Sequence, residues 1–231
     1  MIIHGFQKMT LLDYPSKVAC TVFTAGCNFR CPFCHNAPLV TRLKPEDTFT
    51  EEEILSYLEK RRGLLDGVCV TGGEPLLQGD FLAFAAKVKA MGYSLKLDTN
   101  GSFPDRLREA IASGLVDYVA MDVKNAPEKY EATIGRDGFS DAVRESVALL
   151  KAGAVDYEFR TTVCREMHTP DDIEAIAEWI AGVRRYFIQG FVDSNDLVGT
   201  ETLTAPDRET MDEMLRRARK YVPDAALRGI E

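Results

Sequence analysis

The chain has 231 residues, 45% of them hydrophobic and 28% charged, with a formal net charge of −8 at pH 7. That length buries a full core as one domain over residues 1–231, and the acidic balance disfavours a nucleic-acid binder driven by phosphate neutralisation. No stretch approaches 18 uninterrupted apolar residues, which excludes a membrane-spanning helix. The opening Met1-Ile-Ile-His-Gly-Phe lacks the basic region and long apolar run of a signal peptide, so none is expected. Of six cysteines, three are crowded and three scattered, unlike a secreted disulfide framework, so a reducing cytoplasm is the expected setting.

Short apolar, β-branched runs predict strands at 18–23, 67–71, 94–98, 118–122, 156–163 and 185–192. Amphipathic segments between them predict helices near 51–62, 79–91, 104–113, 139–152, 170–182 and 206–220. Thr50 with Glu53 forms a capping box, and Thr169-Pro170-Asp171-Asp172 supplies a cap, a proline at the first helical position and first-turn acids. Ile173, Ile176, Ala177 and Ile180 then follow helical spacing on one face. The basic residues Arg216, Arg217, Arg219 and Lys220 fit a solvated helix face, and 225–229 predicts a last edge strand. Six β/α units in series imply a parallel α/β sheet with right-handed crossovers. An open doubly wound sheet and a barrel both satisfy that pattern. Eight units close a barrel, so six predict a partial (β/α)6 barrel, open on one side. No long linker and no fixed-period repeat interrupts it.

The strands end in polar chemistry. Cys27, Cys31 and Cys34, spaced Cys-x3-Cys-x2-Cys, follow the first strand. Gly72-Gly73-Glu74-Pro75 follows the second and Asp98-Thr99-Asn100-Gly101 the third. Asp122 and Lys124 end the fourth, Arg160 lies within the fifth and Gln189 within the sixth. In parallel α/β folds, ligands bind at the carboxyl ends of strands, so these residues share one rim.

Three thiolates this close can hold three irons of a four-iron cluster, leaving the fourth iron open to a ligand. Structural zinc is the competing reading; it takes four ligands, and His35, directly after Cys34, is poorly placed to complete a tetrahedron. Buried or disulfide-bonded cysteines are the third reading. The shared rim favours the cluster. An open iron in a barrel mouth can chelate an amino acid through its amine and carboxylate. Gly72 and Gly73 allow close backbone approach, and Glu74 accepts from an ammonium group. Lys124 or Arg160 meets a carboxylate, and Phe33 packs on a flat heterocycle. Taken singly, Gly-Gly-Glu-Pro and Asp-Thr-Asn-Gly are also ordinary turns, and Asp122 with Lys124 an ordinary ion pair. Cys20, Cys69 and Cys164 are expected in the core, with burial favoured over a hydrogen-relay role for Cys164. His4 and His168 are expected to be structural.

Cys27-Asn-Phe-Arg-Cys31-Pro-Phe-Cys34 resembles the signature of the radical S-adenosylmethionine enzymes, and Gly72-Gly-Glu-Pro75 resembles their methionine-amine motif. Cys34-His-Asn36, Leu97-Asp-Thr-Asn-Gly101 and Met121-Asp-Val-Lys124 resemble the activating enzymes of glycyl-radical proteins. The opening Gly5-Phe-Gln-Lys-Met-Thr-Leu-Leu-Asp-Tyr-Pro15 is most similar to the anaerobic ribonucleoside-triphosphate reductase activating proteins. The resemblance implies one [4Fe-4S] cluster on Cys27, Cys31 and Cys34, with S-adenosylmethionine (SAM) on its open iron. An electron from flavodoxin or ferredoxin then cleaves the sulfonium to methionine and a 5′-deoxyadenosyl radical, which takes a hydrogen from a glycine of a partner glycyl-radical enzyme. It further implies Gly72, Gly73 and Glu74 at the methionine amine, and Lys124 and Arg160 at its carboxylate. Asn36 and the Phe33 backbone fall at the ribose or adenine. Asn100 and Gln189 are also assigned to the cofactor, and Asp98 and Asp122 both to it and to a monovalent-cation site with Thr99 and the Ala120 carbonyl. His35 is expected beside the cluster without ligating it. Activases acting on pyruvate formate-lyase-type partners tend to carry a histidine in the sixth strand, where this chain has Phe187-Ile-Gln189. The remaining scattered cysteines imply no second cluster. The alternatives are a radical enzyme acting on a small or purine-type metabolite, and a metal-binding interaction module without catalysis.

Overall fold

A computed structural model describes residues 1–44, 48–194 and 196–229. Eight strands form one sheet in sequence order: β1 (Ile3–Thr10), β2 (Ala19–Thr24), β3 (Gly67–Gly72), β4 (Ser94–Thr99), β5 (Tyr118–Asp122), β6 (Asp156–Val163), β7 (Tyr186–Gly190) and β8 (Ala226–Arg228). β2 to β8 run parallel, and β1 pairs antiparallel with β2. Among the described residues β8 does not pair with β1, so the sheet curls into a partial barrel with one side open. Six helical crossovers join β2 to β8, as the alternation predicts.

The helices are α1 (Ala37–Val40), α2 (Glu51–Glu59), α3 (Phe81–Ala90), α4 (Pro104–Ala112), α5 (Tyr130–Ile134), α6 (Ser140–Lys151), α7 (Pro170–Trp179) and α8 (Arg208–Ala218). None of the described helices is long and apolar enough to cross a membrane. Both expected capping boxes are present, Thr50 with Glu53 and Thr169 with Asp172. α1 and α5 are absent from the sequence expectation because each spans little more than one turn, too short for a periodic signal. β1 is absent from it for another reason. It lies at the sheet edge, exposed over Gln7–Met9, and register shifts after Ile3 and Gln7 break its alternation.

Alternation along the parallel strands sorts side chains into two layers. Cys20, Val22, Val68, Val70, Leu95, Leu97, Val119 and Met121 point outward to the helices and form the main core. Thr21, Cys69, Lys96, Asp98, Ala120, Asp122, Glu158, Arg160 and Gln189 share the opposite face, which lines the barrel. Tyr14, Ala19, Tyr118 and Ala120 pack as a separate apolar cluster that closes its floor. There the Tyr118 hydroxyl donates to buried Glu158 at 2.8 Å, and Arg228 of β8 binds the same carboxylate at 2.8 and 3.1 Å. The short last strand is thereby tied to the centre of the sheet.

α7 depends on its cap. The Thr169 hydroxyl accepts from the Asp172 amide at 3.3 Å, and the Asp172 carboxylate accepts in turn from the Thr169 amide at 2.8 Å. Thr169→Ala is expected to lower unfolding stability by about 1 kcal/mol, read from urea denaturation, with the slope of the transition unchanged.

Candidate active site

The cysteines occupy the loop between β2 and α1, at the carboxyl end of the sheet. Backbone bonds hold that loop from both sides. The Gly26 amide donates to Leu39 O at 2.7 Å, the Arg30 amide to Ile134 O at 2.8 Å, and the Cys34 amide to Cys31 O at 3.1 Å. The Arg30 guanidinium donates to the carbonyls of Cys27 and Phe29 at 2.6 and 2.7 Å. Sulfur-directed donors are in place as well: the Phe29 amide lies 3.3 Å and Asn100 Nδ2 3.7 Å from Cys27 Sγ.

A cavity of about 280 Å³ opens in the barrel mouth. Its wall brings together Cys27, Cys31, Cys34, Phe33, Asn36, Gly72, Gly73, Asp98, Thr99, Asn100, Asp122, Lys124, Arg160 and Gln189, fourteen of the expected site residues. His35 also lies on it. Two expected residues do not reach the wall. Ala120 is fully buried within the sheet, and Glu74 is fully buried beneath the rim.

Glu74 acts as a junction. Its carboxylate accepts from the Thr99 hydroxyl at 2.8 Å, the Leu76 amide at 3.0 Å and the Asn100 amide at 2.7 Å. It therefore joins the loop after β3 to the loop after β4. Burial pushes its carboxyl up to about 7, against the pull of those three donors. Gly72 and Gly73 also serve a purpose other than open approach to a ligand. Gly72 has φ +117°, and a Cβ there would lie 2.3 Å from Thr24 N; a Cβ on Gly73 would lie 1.9 Å from Gly26 O. The two loops cross at backbone contact, sealed by Gly73 N to Thr24 O at 2.9 Å and Glu74 N to Gly26 O at 2.8 Å. These glycines thus set where the cysteine loop stands.

The charged residues form one network. Arg160 bridges Asp98 (Nη1 to Oδ2, 3.1 Å) and Asp122 (Nε to Oδ1, 2.9 Å), and Lys124 Nζ sits 3.0 Å from Asp122 Oδ2. Burial works to raise both carboxyls, but the Arg160 charge, with Lys96 for Asp98 and Lys124 for Asp122, holds them below the usual carboxylate range. The same pairings raise Lys124 and Arg160 despite their burial, so both stay cationic at the cavity wall.

His168 has a definite task. The Cys164 amide donates to its Nδ1 at 3.1 Å, which leaves Nε2–H to donate to the Lys124 carbonyl at 2.9 Å. Burial lowers its pKa, keeping this neutral tautomer. The ring also meets Phe33 edge-on, with centroids 5.7 Å apart. It is structural, as expected, and what it fixes is the strand end that carries Lys124. Cys164 and Cys20 are buried in the main core, where burial pushes each thiol up to about 12. Cys69 is equally buried but on the barrel side, 3.8 Å from Asp98 Oδ1 and from Lys96 Nζ.

Residues absent from the sequence expectation also line the cavity. Asp13, on the turn after β1, accepts from the Thr21 hydroxyl at 2.6 Å. Thr162 stands two residues beyond Arg160 on the same strand face, a position alternation alone would have found. Val198 arrives from the long connection between β7 and α8, whose amides at Val198 and Gly199 donate to Cys34 O and Pro32 O, each at 3.0 Å. No local pattern marks that connection as part of the site.

The donor set suits a four-iron cluster. Cys27, Cys31 and Cys34 converge on one cavity wall, and a four-iron cluster takes one thiolate on each of three irons. Burial pushes the Cys27 thiol up to about 11 and the Cys31 thiol up to about 12, and the nearby Lys124 charge opposes both rises.

The sequence profile of the Radical SAM superfamily matches residues 21–180. The chain belongs to that superfamily. A Methanocaldococcus jannaschii protein named for glycyl-radical enzyme activation is 32% identical over 99% of this chain and 96% of its own length. The pyruvate formate-lyase-activating enzyme of Clostridium pasteurianum is 32% identical over 62% of this chain and 61% of its own. Among solved structures, Streptococcus suis SuiB bound to S-adenosylmethionine superposes with TM-score 0.68 at 13% identity. That likeness covers 90% of this chain and 49% of SuiB, so the chain spans about half of SuiB, and the fold is what they share. This radical SAM enzyme takes a [4Fe-4S] cluster and SAM as cofactors, which answers the zinc alternative.

Two outcomes follow from the loop crossing and from Glu74. Gly73→Ala is expected to displace the cysteine loop, lowering the thermal midpoint and the iron content after anaerobic reconstitution. An unfolded glutamate titrates near 4.3, whereas folded Glu74 is raised to about 7. Across that window the folded chain keeps a proton the unfolded chain has lost, so Glu74 makes stability fall as pH rises from about 4.3 to 7 and leaves it level above. Glu74→Gln is expected to flatten that slope in denaturation series at stepped pH.

Proposed function

We propose that this enzyme is a cytoplasmic activase that removes one hydrogen atom from a glycine of a partner glycyl-radical enzyme. The proposed partner is an anaerobic ribonucleoside-triphosphate reductase, and the proposed electron donor a reduced flavodoxin or ferredoxin. The end-to-end likeness to a relative named for glycyl-radical enzyme activation carries the reading. The open side of the barrel and the 280 Å³ cavity at its mouth also support it, since an extended peptide loop needs such access. The resemblance of the opening segment through Pro15 to the reductase activating proteins supports the reductase as partner.

In this reading Cys27, Cys31 and Cys34 hold the cluster. The Gly72–Gly73 backbone receives the methionine amine, with Glu74 acting one step back by fixing that turn. Lys124 and Arg160, both cationic and preset by Asp122, meet the carboxylate through charge-assisted bonds. Asn36, held by its amide to Gly72 O at 3.3 Å, and Phe33 flank the nucleoside, with Asn100 and Gln189 completing the wall. When bound, the cofactors supply hydrogen abstraction by one-electron cleavage of the sulfonium. The protein's own contribution is to orient the amino-acid end and keep water from the cysteine loop, over which the Val198–Gly199 strap lies.

The test is anaerobic incubation of reconstituted enzyme, reductant and SAM with the purified reductase. The expected result is a glycyl-radical doublet in the electron paramagnetic resonance spectrum and one 5′-deoxyadenosine per radical at most stoichiometric yield. No doublet, with 5′-deoxyadenosine formation stimulated instead by a purine-type metabolite, would move the chain to the small-molecule class. Lys124→Met is expected to weaken SAM binding by about tenfold, the worth of one charge-assisted bond, while cluster content holds.

A further inference from the structure

Asp98, Thr99, the Ala120 carbonyl and Asp122 stand, by resemblance, where one related activase holds a monovalent cation. The donors of this chain do not fit such an ion. Each of the four carboxylate oxygens already meets a cationic nitrogen: Asp98 Oδ1 meets Lys96 Nζ, Asp98 Oδ2 and Asp122 Oδ1 meet Arg160 at 3.1 and 2.9 Å, and Asp122 Oδ2 meets Lys124 at 3.0 Å. The Thr99 hydroxyl donates to Glu74 at 2.8 Å and accepts from the Gly101 amide at 3.2 Å. Ala120 is fully buried and off the cavity wall.

Lys96 is the unusual member of this set. It rises from β4 two residues before Asp98, on the same strand face, and is 1% exposed. Its ammonium touches the Asp98 carboxylate and, at 3.8 Å, the Cys69 sulfur. A buried ammonium is retained only when paired, because desolvation otherwise costs several kcal/mol. Lys96 enters from the barrel side, beneath the cavity wall, so it neutralises Asp98 without occupying space at the mouth. Within this network Lys96, Arg160 and Lys124 outnumber Asp98 and Asp122 by one charge, while Asp13 adds a carboxylate elsewhere on the cavity wall.

We propose that Lys96 is a tethered replacement for the monovalent cation, a positioning residue that holds Asp98 and, through it, the Arg160 guanidinium. The substitution makes the site independent of dissolved alkali cations. Only the consequence for SAM rests on the cavity being its seat; the cation independence of the network does not.

The experiment uses the reconstituted full chain at constant ionic strength in tetramethylammonium, sodium or potassium chloride. Thermal midpoint, sodium-23 relaxation and SAM cleavage are read for the native chain and for Lys96→Met. The native chain is expected to show the same midpoint and cleavage rate in all three salts and no sodium binding. Lys96→Met is expected to lose about tenfold or more in cleavage in tetramethylammonium, and to regain it with sodium or potassium together with a rise in midpoint. Should that variant not fold, Lys96→Gln and the native chain carry the same comparison. A native chain that binds sodium, or whose midpoint depends on alkali cations, overturns the proposal. So does a folded variant that matches the native chain in tetramethylammonium, or one that stays inactive in every salt. If no form cleaves SAM, the midpoints and sodium relaxation still decide the cation question, and the failure belongs to the functional reading.

Discussion

The site depends on a backbone crossing that tolerates no side chain. The turn at Gly72–Gly73 lies against Thr24 and Gly26 so closely that a Cβ on either glycine would overlap backbone atoms. That contact locates the cysteine loop relative to β3, and the buried Glu74 carboxylate extends the same constraint to the loop after β4. Three consecutive strand ends are thereby held as one unit, with the thiols, the glycine backbone and Asn100 fixed around a common cavity. The motif looks like a ligand cradle in sequence; in space it is first a clamp between loops, and the cradle results from the clamp.

Below the clamp, the barrel handles charge in a way an ordinary core does not. A parallel sheet covered on both faces is normally apolar through and through. Here the inward face carries Lys96, Asp98, Asp122, Glu158 and Arg160, and each has a partner of opposite sign. The pairings keep two carboxylates ionised and two cations charged at the wall, so the mouth is electrostatically preset before any ligand enters. His168 adds positional control from the other side by gripping the carbonyl of Lys124.

Much of this was legible in the sequence because the signals were local. Six strand positions, the capped helices and the rim of Cys27, Gly72, Asp98, Asp122 and Arg160 follow from alternation and from polar residues at strand ends. What escaped was non-local or irregular. β1 is an edge strand broken by two register shifts, so its apolar pattern does not alternate cleanly. Lys96 reads as one lysine in an apolar run, and only the strand's face shows that it points at Asp98. Glu74 carries the expected chemistry but turns it toward amides of its neighbours. Val198 belongs to a connection whose relation to Cys34 exists only in three dimensions.

The central claim is that this cavity seats the amino-acid end of SAM between the open iron, the glycine turn and the Lys124–Arg160 pair. Electron–nuclear double resonance of the reduced, reconstituted enzyme with SAM labelled at the carboxylate and amine tests it most directly. The account predicts strong coupling of both labels to the cluster, with the carboxylate coupling altered in Lys124→Met. Labels that show no coupling to the cluster would contradict it.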